Sequence, residues 1–274
     1  MDLGISSLGH IVEYGRSNKY DNILDLFLKA TEECLIFAER NNITIVELVL
    51  DPPEIIYDEN QQRFFDLLSN FSLKTQIHGP FIDLSLCSHN FFISNVSVEI
   101  YIKTAKICKE IGADLLTIHP GLVKYPLFRE YNKQQIAHSI HKLLDETAAL
   151  NVNICLENMP KSNGIMGDEE TIKEVFNLIQ RSDLYITYDT SHFFTCDGNI
   201  IRLWEYFGDI IKNVHIVENF SKTSDTHPPL GTGKINFDEI FEVLGTHQYQ
   251  GPLIIELSTA KDLPESIDYL HKFL

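Results

Sequence analysis

The sequence has no CxxC pair, and its five cysteines, Cys34, Cys87, Cys108, Cys155 and Cys196, are an odd number. That excludes a disulfide-stapled scaffold and fits a reducing compartment. No apolar run approaches the roughly 18 residues a membrane-spanning helix needs. The opening MDLGISSLGHIVEYG has no basic stretch followed by an apolar one, so no signal peptide is expected. Basic residues are scarce, 22 Lys and Arg against 39 Asp and Glu, for a net charge of −17. Such a surface repels nucleic acid and anionic lipid at long range, and bound divalent cations would offset part of its charge. Low-complexity stretches, long charge runs and Ser/Gly linkers are also lacking. Together these absences predict a cytoplasmic protein without a membrane partner.

What is present is an alternation of two patterns. Short apolar, β-branched runs occupy residues 2–6, 45–50, 74–78, 115–119, 152–157, 184–189, 213–217 and 252–257. Each has the length of a buried parallel strand. Amphipathic stretches follow them at 22–41, 61–69 (the weakest), 96–111, 133–150, 169–179, 200–207, 237–244 and 264–273. Over 274 residues this gives a mean unit of about 34 residues, the size of one βα unit of a (β/α)8 barrel. The rival is an open doubly wound sheet, which usually carries a Gly-rich first turn. The first run here leads into SSLGHIVEYG with no GxGxxG. The prediction is one (β/α)8 TIM barrel spanning 1–274 as a single domain.

The strand ends carry the chemistry. Run three ends in His78, four in His119, five in Glu157 and six in Asp189; run seven contains His215 and run eight Glu256. Catalytic residues of such barrels sit at the C-terminal ends of strands and in the loops after them. His192, Asp225 and His227 add three more candidates from the loops. Taken singly, a strand-end His is more often a hydrogen-bonded residue than a ligand, and a strand-end carboxylate often caps the next helix. Carboxylates from several strands crowded onto one rim would repel and desolvate one another unless cations lay among them. The donor set of His, Asp and Glu without Cys suits zinc first, then manganese, cobalt or iron, and does not suit calcium.

The motifs HGPF at His78, IHPG at His119, LEN at Glu157, DTSH at Asp189, VHI at His215, DTHPPLGTG at Asp225 and IIELS at Glu256 together resemble the xylose-isomerase-like barrel superfamily. The resemblance runs from the third strand to the eighth. It implies one of two branches. In endonuclease-four type apurinic endonucleases nine side chains hold three zinc ions, and all nine positions are filled here: His78, His119, Glu157, Asp189, His192, His215, Asp225, His227 and Glu256. In the sugar isomerases and epimerases one ion is held by four residues, which map to Glu157, Asp189, His215 and Glu256. Departures bear on the substrate. The endonucleases' first-strand GAHVS motif and second-loop Arg are replaced by GISSLGHIVEYG and the acidic VELVLDPPEII, where Asp51 and Glu54 would disfavour a phosphate backbone. A family tyrosine beside the first His is Phe81 here.

Two functions are therefore expected. The first is hydrolysis of phosphoester bonds at a multinuclear, zinc-first centre of up to three ions, on a small phosphorylated substrate or damaged DNA. The second is isomerisation or epimerisation of a sugar or sugar phosphate at one ion, with Glu157 and Glu256 moving the proton. The candidate catalytic residues are Glu157, Glu256 and His192. Asp225 and His227 would be surplus in the second, which favours the first. Phe81, Gly231, Gly233 and Lys234 are weaker substrate-binding candidates, because a late Gly-rich loop can cradle phosphate in a barrel; a tight turn is the plainer account of those glycines. A barrel with a purely structural ion is disfavoured, since structural zinc sites are closed and often Cys-rich.

Overall fold

The computed structural model describes residues 1–17, 19–51 and 53–274; Pro52, in the acidic stretch after the second strand, lies outside them. Eight parallel strands close into a barrel in sequence order. They are β1 (Asp2–Ser6), β2 (Ile45–Val49), β3 (Lys74–His78), β4 (Leu115–Ile118), β5 (Asn153–Glu157), β6 (Leu184–Asp189), β7 (Ile211–Ile216) and β8 (Pro252–Ile255). β8 pairs with β1 from Asp2↔Pro252 to Ile5↔Ile255. No described helix is long and apolar enough to cross a membrane.

Ten α-helices are present among the described residues: α1 (Leu8–Arg16), α2 (Ile23–Arg40), α3 (Asp58–Leu68), α4 (Phe91–Ile111), α5 (Arg129–Thr147), α6 (Glu169–Ile179), α7 (Thr190–Thr195), α8 (Ile200–Phe207), α9 (Phe237–Thr246) and α10 (Leu263–Leu270). α2 starts where the Asn22 side chain accepts from Asp25 N, and it buries Phe27, Ala30, Cys34 and Ala38. α4 stops at Gly112, whose φ of +73° takes the left-handed turn that glycine tolerates. α6 opens with a reciprocal Asp168–Thr171 capping box. The main apolar core lies between the strands and this ring of helices.

The strict one-strand, one-helix alternation is broken twice, by α1 and α7, which the sequence patterns do not reveal. α1 contains Gly9 and Gly15, and a Cβ at Gly9 would lie 3.0 Å from backbone atoms of Thr259 and Ala260. The glycine therefore lets α1 dock where its sequence reads as a turn. α7 is too short to display a helical period.

Inside the barrel, side chains two residues apart on a strand share the inward face. Gln76 precedes His78 in this way, Thr117 precedes His119, Thr187 precedes Asp189 and Asn213 precedes His215. The lower members form a buried hydrogen-bonded floor. Gln76 Nε2 donates to Glu47 Oε2 at 2.7 Å and to Asn213 Oδ1 at 3.0 Å, Asn213 Nδ2 donates to Glu47 Oε2 at 3.0 Å, and Thr117 and Thr187 hydroxyls meet at 2.8 Å. The upper members form the rim.

Candidate metal centre

Glu157, at the end of β5, is 1% exposed and its two oxygens face different partners. Oε2 lies 2.8 Å from His119 Nε2 and 3.3 Å from His78 Nε2, while Oε1 lies 3.0 Å from His215 Nδ1. The outward nitrogen of His78, Nδ1, is 2.8 Å from the carbonyl of Gly79. A carbonyl only accepts, so Nδ1 carries the hydrogen and Nε2 is turned towards the carboxylate. His192 is arranged alike, with Nδ1 donating to the Asn158 carbonyl at 2.8 Å.

Asp189 works in two directions. Its Oδ1 accepts from His192 N at 2.7 Å and caps α7, which carries the His192 ring back over the rim. Its Oδ2 is buried with no hydrogen-bond partner and lies 3.8 Å from His215 Nδ1. The third group comes from the β6 and β7 loops. Asp225 Oδ2 sits 3.1 Å from His192 Nε2 and Asp225 Oδ1 3.1 Å from His227 Nε2. Ser191 Oγ donates to the same Asp225 Oδ1 at 2.6 Å. His227 adopts φ +46°, an uncommon conformation for a non-glycine residue. The other ring nitrogen of His227 is 3.3 Å from Glu256 Oε1, and Glu256 follows directly on β8.

Potential ligand atoms thus gather in groups within 4.8 Å of one another: His78, His119 and Glu157; Glu157, Asp189 and His215; His192, Asp225 and His227; and Glu47, His215 and Glu256. Glu47, missed from sequence, is fully buried at the centre of β2 and lies 3.0 Å from His215 Nε2. A carboxylate amid the apolar IVELV run was the available signal, since an isolated buried charge is costly without a partner.

The electrostatics follow from this crowding. Burial pulls His78 down, but Glu157, Glu47 and Glu256 outweigh it and carry the imidazole up to about 9. Burial likewise opposes, and Asp189 and Asp225 override, a rise of His192 to about 10. His215 and His227 are raised well above the usual range by their carboxylate neighbours, against burial. Burial pushes Asp189 up to about 6, with His192 opposing and Glu157 adding to the rise. His119 is the exception, lowered because its burial outweighs Glu157. Without cations, inward nitrogens and carboxylates are reconciled by protons. The partnerless Asp189 Oδ2 and the imidazole–carboxylate donor set fit divalent ions in the same places.

The weaker substrate candidates divide between the centre and the glycine-rich loop. Phe81 packs edge-on to His78, with ring centroids 5.4 Å apart, and against His119 at 5.1 Å. The glycine-rich loop closes around a buried carboxylate. Glu218 accepts from Gly231 N at 3.1 Å and Ile235 N at 3.0 Å, so those amides are already engaged. A Cβ on Gly233 would strike Glu218 and the Asn219 carbonyl, one on Gly231 would strike Tyr269, and Lys234 is exposed to solvent. Asp51 accepts from Phe81 N at 2.8 Å and Ile82 N at 2.7 Å. Its charge pins the β3–α4 loop, so it does not stand bare towards a phosphate.

A family profile described as a xylose isomerase-like TIM barrel matches residues 37–273. An uncharacterised protein of Methanocaldococcus jannaschii is 26% identical over 242 residues, covering 86% of this chain and 82% of its own length. A probable endonuclease 4 of Aquifex aeolicus is 27% identical over 222 residues, covering 74% of this chain and 77% of its own. The crystal structure of a D-tagatose 3-epimerase-like protein shares the fold with a TM-score of 0.82 and 23% identity, covering 100% of this chain and 97% of the other. With its closed barrel and a match spanning residues 37–273, the chain belongs to the xylose isomerase-like TIM-barrel family.

Proposed function

We propose that the chain is a metal-dependent phosphoester hydrolase with a centre for three divalent ions, zinc foremost. The observation that carries this reading is the outer group, in which one carboxylate, Asp225, stands 3.1 Å from both His192 and His227. A one-ion isomerase site built from Glu157, Asp189, His215 and Glu256 would leave Asp225 and His227 idle. Kinship to a probable endonuclease 4 points the same way.

His78 and His119 would hold one ion with Glu157 Oε2. His215, Asp189, Glu256 and Glu157 would hold a second, and His192, Asp225 and His227 would hold the third. Ions there would supply Lewis acidity, an acidified water and charge neutralisation for displacement at phosphorus. The protein's part is positional. Carbonyls of Gly79 and Asn158 fix the orientation of the His78 and His192 rings, Ser191 fixes Asp225, and Phe81 screens His78 and His119 from bulk water.

The test is metal content per chain by plasma mass spectrometry, with Asp225→Ala and His227→Ala alongside, and phosphodiester cleavage, including an abasic duplex, in the same preparations. About three ions, fewer in the variants and cleavage lost with them, supports the proposal. One ion unchanged by either variant, with metal-dependent conversion of a ketose, would establish the isomerase or epimerase alternative.

A further inference from the structure

Above the ligand groups lies a cleft of about 740 Å³, within the range of pockets that enclose a small organic ligand. It is framed by the loops after β3, β4 and β5. His119, His192 and Asp225 face into it, so it opens directly onto the centre. Leu122, Tyr125 and Phe128, from the β4–α5 loop, line the same space. Tyr125 is 58% and Phe128 39% exposed, and His89 of the β3–α4 loop lies against Phe128 with ring centroids 5.4 Å apart.

Charge separates two kinds of occupant. Among the described residues the lining holds one Lys or Arg, Lys124, against two carboxylates, Asp83 and Asp225. A duplex is positioned by several cationic contacts along its backbone, and one lysine in a chain of net charge −17 does not provide them. A single phosphoester group at the centre needs none, because bound ions would neutralise it. The exposed rings of Tyr125 and Phe128 suit a planar partner, and every base has a face that can stack on an aromatic side chain.

We infer that the cleft is a subsite for an aromatic ring, so that the substrate is a small organic phosphoester of nucleotide type, its phosphoryl end at the ligand groups and its base on Tyr125 and Phe128. The inference rests on the phosphoester reading of the centre. It does not require the chain to act on DNA.

The experiment uses the zinc-loaded full chain and compares, by calorimetry at one ionic strength, adenosine 5′-monophosphate, ribose 5-phosphate and inorganic phosphate. The nucleotide is expected to bind about tenfold tighter than the pentose phosphate, the equivalent of roughly 1.4 kcal/mol. Tyr125→Ala and Phe128→Ala, both at exposed positions, should remove the advantage without changing phosphate binding, and Phe128→Trp should retain it. Equal affinity for nucleotide and pentose phosphate, or an advantage that survives both alanine variants, overturns the subsite. Cleavage of the p-nitrophenyl ester of thymidine 5′-phosphate is followed in parallel. A ring preference without cleavage upholds the subsite and rejects the hydrolase reading; cleavage without a ring preference rejects the subsite alone.

Discussion

Glu47 lies 3.0 Å from His215 Nε2, the nitrogen turned away from the rim, while His215 Nδ1 points at Glu157. A carboxylate behind a ligand histidine orients the ring and raises its basicity, and its loss typically weakens metal binding by about 10–100-fold. Glu47→Gln should therefore lower zinc affinity by that order, read by competition with a chromophoric chelator, while the number of ions at saturation stays the same. An affinity equal to that of the parent chain would remove Glu47 from the ligand system.

Asp189 can be dissected because its oxygens do separate things. Asparagine caps a helix about as well as aspartate, whereas alanine costs about 1 kcal/mol. In chelated protein Asp189→Asn should raise the urea midpoint, because it removes a carboxylate whose burial lifts it to about 6. In zinc-loaded protein the same change should lower the midpoint. Asp189→Ala should be the less stable of the two variants in both forms. A change of one sign in both forms would mean that Asp189 does not meet an ion.

Stability should fall with rising pH in the chelated protein, and zinc should remove that slope. A histidine whose folded value exceeds its unfolded 6.5 stabilises fully below 6.5, and that stability fades as pH rises through the folded value, about 9 for His78 and about 10 for His192. Chelated protein should lose stability between pH 7 and 10. Zinc must displace those protons, so the zinc-dependent increment should grow over the same window and proton release should accompany zinc titration at pH 7. Denaturant midpoints across pH and calorimetry in two buffers of different ionisation enthalpy check both.

The loop around Glu218 makes a purely structural prediction. Gly233→Ala places a methyl against the Glu218 carboxylate and the Asn219 carbonyl, and overpacking of this kind costs about 1–3 kcal/mol. The urea midpoint should fall in proportion, with zinc content unchanged. A fall in zinc content would tie the loop to the centre.

The barrel was legible because short runs that end in a polar residue recur between amphipathic stretches: β1, β3 and β6 fall on the residues their sequence patterns mark. Helix starts were less so. α4 begins at Phe91, five residues before its amphipathic pattern, since Phe91, Phe92 and Ile93 are exposed and mark no buried face. α5 likewise starts at Arg129 rather than 133. The strand-end residues were readable one by one, but sequence spacing could not reveal which oxygen of Glu157 faces which histidine. The apolar run around Glu47 marked a buried charge but not its partner, since His215 lies far along the sequence, and the spent amides of Gly231 and Ile235 were hidden by the distance in sequence to Glu218.

The floor formed by Gln76, Thr117, Thr187, Asn213 and Glu47 also bears on heat. Unfolding exposes apolar surface, which raises the heat capacity, and polar surface, which lowers it. A barrel centred on amides, hydroxyls and a carboxylate has a smaller heat-capacity increment than one centred on Val, Leu and Ile. Five such side chains in 274 residues shift the increment only slightly, in the direction of a flatter stability curve.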